Sequence, residues 1–274
     1  MSKTFGLALG AGGARGLAHI AVFEALDELG KQPAAIAGAS VGSLLGAAYA
    51  AGMSGKQMRR FVTALAHNRG EVFRRLIAAR ASTISTFFNL GLGSAMLVDA
   101  EKFCGQFLPD DIPDDFEDLE IPLTVVATDL YRRQAAVFSS GSLKPALAAS
   151  IALPTVMRPV VVNKRILIDG GAINPLPFDL LRGRVDVVVA VDLSGEPTEE
   201  RREIPSPWEC ALTTVMVMGG AITAEKIKHG APDLIVRPKV GSFRTLDLLQ
   251  ASAILRASEP VKAELKEKLA ALLS

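Results

Sequence analysis

Gly38-Ala39-Ser40-Val41-Gly42 sets one hydroxyl between two glycines. A serine spaced this way can attack an acyl carbon if a sharp strand-to-helix turn pushes its oxygen outward. The glycines leave room for the chain on either side of the bend. Apolar Ala34-Ala35-Ile36-Ala37 precedes the turn and a small-residue helix pattern from Ser43 to Ala51 follows it, so the order reads strand, turn, helix. The helix N-terminus behind the hydroxyl favours a developing negative charge. A second reading is open, in which Ser40 only N-caps that helix.

Acyl chemistry also needs donors for an oxyanion and a base for the serine proton. Gly10-Ala11-Gly12-Gly13-Ala14-Arg15-Gly16 closes the first strand pattern, and its glycines leave backbone N–H groups uncovered. A dinucleotide fingerprint counted from Gly10 fails, because Arg15 stands where the last glycine is required. The other reading is an oxyanion hole made by the N–H groups of Gly12, Gly13 and Ala14. Asp169-Gly170-Gly171 follows Ile166-Leu167-Ile168 and holds a carboxylate at a strand end. It is a base or an ordinary Asp-Gly turn.

Histidines test a rival arrangement. Ser40, Asp192 and His229 follow the chain order of an α/β-hydrolase triad. His229, however, ends Lys226-Ile227-Lys228-His229-Gly230, which reads as a helix C-terminus where a cation is favoured. His19 lies one turn into the helix after the glycine loop and is expected to orient that loop or pack in the core. Cys104 and Cys210 have no metal-type spacing, and with only three histidines no metal site and no cofactor are expected.

Strands must alternate with helices to bring these residues to one edge. Strand patterns at 4–9, 34–39, 121–128, 185–192 and 234–236 are separated by helical ones, which predicts an α/β fold with a mainly parallel central sheet. Residues 160–168 read as a hairpin, with 135–138 pairing to 121–128. Residues 62–106 begin basic and become apolar, and we expect them to form a helical cap inserted into a single domain spanning 1–274. The nearly uncharged stretch Trp208 to Thr223 reads as a core helix, a dimer face or a membrane contact.

The chain has 274 residues, 49% of them hydrophobic, and a net charge of +1. A sizeable core is affordable and no pull toward nucleic acid is expected. No secretory signal or convincing membrane span is read, so a cytoplasmic location is expected, with peripheral contact to an inner membrane through the cap.

These motifs together resemble the patatin-like phospholipases of the bacterial cytoplasmic branch. The resemblance rests on 10–20, 38–42, Asp169-Gly170-Gly171, Ala149 to Pro154 with Arg158-Pro159-Val160, and Asn174 to Pro177. It implies a three-layer α/β/α fold and a Ser-Asp dyad with Ser40 as nucleophile and Asp169 as general base, and Gly12-Gly13-Ala14 as oxyanion hole. Arg15 would brace the loop or meet a substrate phosphate. The implied activity is hydrolysis of lipid acyl esters, of phospholipase A or lysophospholipase type. Acyl transfer, thioester hydrolysis and non-catalytic lipid binding stay open beside it. Beyond Ser194 the chain carries no recognised motif.

Overall fold

The computed structural model describes residues 3–80, 98–109, 111–195, 204 and 206–274. Eight strands form one sheet: β1 (Phe5–Leu9), β2 (Ala35–Ala39), β3 (Leu123–Asp129), β4 (Gln134–Phe138), β5 (Val160–Val162), β6 (Arg165–Asp169), β7 (Val187–Val191) and β8 (Leu234–Val236). The run β3-β2-β1-β7-β8 is parallel, as the strand–helix alternation predicts. Beyond it, β4 and β6 pair antiparallel to β3, and β5 antiparallel to β6.

Among the described residues the α-helices are α1 (His19–Leu29), α2 (Val41–Ala50), α3 (Gly55–His67), α4 (Arg69–Ala78), α5 (Ala100–Phe107), α6 (Leu143–Ile151), α7 (Pro207–Lys228), α8 (Ala251–Ser258) and α9 (Pro260–Leu273). Strand side chains alternate between two faces. Leu7, Leu9, Ile36, Val125 and Val189 join α1, α2, α6, α8 and α9 in one core. Ala8, Ala35, Ala37, Val188 and Ala190 meet Leu176, Phe178, Leu181 and Ile227 of α7 on the other. Helices on both faces of a sheet make three layers.

Among the described residues, α4 and α5 lie inside the expected cap and α3 runs into it from Gly55, and each has a local start signal. Ser54 and Gln57 form a capping box on α3, Asn68 caps α4 and Asp99 caps α5. The Ser82 to Val98 part of the expected cap lies almost wholly outside the described residues. At the base of α3, Arg59 grips Glu24 of α1 through two bonds of 2.6 and 2.7 Å, and Lys262 of α9 adds a third at 3.0 Å.

The core-helix reading of 208–223 needs correction. Of α7, only Leu212, Gly219 and Thr223 are buried, while Trp208, Val217 and Met218 face solvent. One face of α7 packs on the 170–178 segment, where Ile227 joins the second core, and much of the rest is bare. By length and apolar composition alone it is also long enough to cross a membrane.

Candidate active site

The site arises where two strands of opposite direction meet. Val125 and Val126 of β3 pair with β4 on one edge and with β2 on the other. Ala127, Thr128 and Asp129 pair with β4 again, and with β6. β2 and β6 therefore share one edge of β3. β2 runs with β3 and ends at Ala39, opposite Val126; β6 runs against it and ends at Asp169, opposite Ala127. Their C-terminal ends face each other across one residue step of β3.

Ser40 follows Ala39 at φ 55°, ψ −131°, a conformation that costs a non-glycine residue energy and marks the sharp turn. The flanking glycines are required by space. A Cβ on Gly38 would lie 2.7 Å from the Ser43 backbone, and one on Gly42 would lie 2.5 Å from the Leu9 carbonyl oxygen. The Ser40 side chain makes no capping bond to α2. Its Oγ instead donates to Asp169 Oδ2 at 2.6 Å.

Neighbouring hydroxyls hold this pair. Ser150 Oγ donates to the Val126 carbonyl at 2.6 Å and accepts the Ser40 N–H at 2.9 Å, so it links β3, α6 and the turn. Thr128 Oγ1 donates to the Asp169 carbonyl at 2.7 Å. Asp169 Oδ1 accepts the Gly171 N–H at 2.7 Å. Thus the carboxylate does cap an Asp-Gly-Gly turn, but with one oxygen, leaving the other for Ser40. Burial pushes the Asp169 carboxyl up to about 6, against the opposing pull of the Ser40 and Gly171 hydrogen bonds. No cation pairs with it among the described residues.

The glycine loop stands beside Ser40. The N–H groups of Gly12, Gly13 and Val41 donate to no protein acceptor among the described residues. Ala14 differs: its N–H donates to the Thr245 carbonyl at 2.8 Å, so it is engaged in this conformation. His19 is fully buried, and its Nε2–H donates to the Gly10 carbonyl at 2.9 Å. Burial pushes that imidazole down to about 4, so it is a neutral brace of the loop.

Arg15 turns away from Ser40. It donates to the Ser194 carbonyl and the Met216 sulfur, and lines a separate cavity of about 830 Å³. Its geometry is that of a strut from the loop to the C-terminal part of the chain. Asp192 is engaged by the Ser194 N–H and by Arg237, and His229 caps α7 in solvent with Nδ1 beside the Glu225 carbonyl. Neither lines the Ser40 cavity, so the Ser40-Asp192-His229 order does not assemble.

That cavity, about 280 Å³, is walled by Leu44, Leu76, Phe103, Ile151, Met216 and Leu248, with Ser40, Asp169, Gly13 and Ala14 at its base. Met216, Thr245 and Leu248 come from the region without a motif. They carry no sequence signal, because a cavity wall requires only apolar volume. Ser150 is different: it lies inside one of the family-like motifs, yet its role shows only in the fold.

The profile of the patatin-like phospholipases matches residues 7–182. The chain belongs to the patatin-like phospholipase family. Among its relatives is an uncharacterized NTE family protein of Mycobacterium tuberculosis, 36% identical over 203 residues, covering 74% of this chain and 52% of that protein. Human patatin-like phospholipase domain-containing protein 6 is 32% identical over 197 residues, covering 71% of this chain and 14% of that one. This patatin-like chain thus spans about half of the mycobacterial relative and a small part of the human one. VipD from Legionella pneumophila shares the fold with a TM-score of 0.52 at 15% identity, covering 97% of this chain and 67% of that chain.

Proposed function

We propose that the protein is a serine esterase on lipid acyl esters, of phospholipase A or lysophospholipase type. The observation that carries this reading is the 2.6 Å bond from Ser40 Oγ to Asp169 Oδ2 at the base of an apolar cavity. A carboxylate near its ordinary value is a poor base; one pushed up to about 6 by burial binds the serine proton better. Asp169 takes that proton as Ser40 Oγ attacks the ester carbonyl. The Gly12 and Gly13 N–H groups stabilise the oxyanion, each donor worth about 10²–10³ in rate. Ala14 joins them only if the Thr245 carbonyl withdraws. Asp169 then returns the proton to the leaving alkoxide, and a water activated by the same carboxylate hydrolyses the acyl-enzyme.

A cytoplasmic location and contact with a lipid surface through the cap belong to the same reading; exposed Phe73 and Ile77 on α4 support the contact. A fluorophosphonate probe tests the chemistry. It is expected to label wild type and not Ser40→Ala, and p-nitrophenyl esters and lysophospholipids are expected to be hydrolysed by wild type alone. Labelling that persists in Ser40→Ala removes the nucleophile. Turnover confined to acyl-thioesters removes the esterase reading.

A further inference from the structure

A second apolar cavity, about 140 Å³, lies beneath α3 and α5 and shares four wall residues with the Ser40 cavity: Val41, Leu44, Phe103 and Leu248. One face of helix α2 runs along both. Its stripe Val41, Leu44, Leu45, Ala48 has i, i+3, i+4, i+7 spacing, which sets all four on one face. Val41 and Leu44 line both cavities, while Leu45 and Ala48 line only the inner one. The stripe leads about 10 Å inward from the nucleophile, at 1.5 Å per residue. Met58, Phe61 and Ala66 line its α3 side, and no charged side chain lines it among the described residues. Phe103 stands at the junction, stacked on Phe107 with centroids 4.4 Å apart.

We propose that the inner cavity holds the distal part of the substrate's acyl chain, and that Phe103 is the partition that sets chain length. This rests on the reading that Ser40 is acylated. The substrates it selects are esters of long acyl chains, since a butyryl group ends within the outer cavity. Met58 can adapt to a threaded chain, and Phe103 yields by turning about χ1.

The test is kcat/KM of the full chain on p-nitrophenyl butyrate, octanoate and dodecanoate. Each buried methylene is worth about fourfold, so wild type is expected to favour dodecanoate over butyrate by at least about tenfold. Ala66→Phe fills the inner cavity from α3 and is expected to lower the dodecanoate-to-butyrate ratio by at least about tenfold. Phe103→Ala merges the cavities and is expected to move the optimum to longer chains. Should Ala66→Phe lose its fold by circular dichroism, Val62→Phe on the same wall replaces it. A ratio within about twofold of wild type in both the filled and the merged variants overturns the inner site. If butyrate hydrolysis in that case still depends on Ser40, the esterase reading stands without it. A wild type that neither turns over any ester nor takes a fluorophosphonate overturns both.

Discussion

Asp169 and Glu24 are both buried carboxylates, 4% exposed each, and their surroundings make them opposites. Burial raises both. At Asp169 only a hydroxyl and one amide oppose it, so the group stays a proton acceptor held up at about 6. At Glu24 the hydrogen bonds and charges of Arg59 and Lys262 outweigh burial and hold the carboxyl below its usual range. One suits the base of the proposed reaction because no cation among the described residues reaches it. The other is a strut because two do, and it ties α1, α3 and α9 together. Acidity here follows from the partners supplied by the fold rather than from residue type or depth.

Exchange of the two carboxylates for amides is the sharpest way to break this contrast. Asp169→Asn is expected to lower kcat by about 10⁴ or more, as removal of one member of a catalytic set does, while Glu24→Gln keeps kcat per folded molecule. Wild-type turnover in Asp169→Asn would put the base elsewhere.

Stability should change in the reverse sense. Between 3.8 and about 6, native Asp169 holds a proton that the unfolded chain has released, so stability falls as pH rises through this window. Above pH 6 the penalty totals on the order of 3 kcal/mol. Asp169→Asn is therefore expected to be more stable than wild type at pH 7 by up to about 3 kcal/mol, and the gain to vanish near pH 4. Urea unfolding at the two pH values reads this. Glu24, with a depressed folded value, contributes stability that is present above its unfolded value and is lost as pH falls through the folded one. Glu24→Gln is expected to cost about 1–3 kcal/mol at neutral pH, less in acid. An equal loss at both pH values would mean that packing, not charge, is what Glu24 supplies.

The smallest effect sharpens the geometry. Ser150→Ala removes the link between the Val126 carbonyl and the Ser40 N–H. It is expected to cost about 1–2 kcal/mol of stability and about tenfold in kcat, with KM little changed. A stability loss without a kcat loss would make Ser150 a packing residue only.

Much of this was legible in the chain. The parallel strands and the 38–42 turn announce themselves, because an apolar run, a glycine-flanked serine and a small-residue helix are local features. The meeting of Asp169 with Ser40 is not local. It depends on β6 running against β3, and a hairpin at 160–168 leaves open which edge it joins and in which direction. The engagement of Ala14 by Thr245 was equally hidden, since a backbone carbonyl has no residue signature. α7 misled for a related reason: an uncharged, Met-rich helix reads the same whether its neighbours cover it or not.

The dependence of kcat/KM on pH, on a short p-nitrophenyl ester and with Ser40→Ala as blank, tests the central claim most directly. If uncompensated burial makes Asp169 the base, activity rises through a single acid-side transition with a midpoint near 6, the value that burial sets for its carboxyl. A profile already flat from pH 4.5 upward, as an ordinary carboxylate near 4 would give, would contradict it.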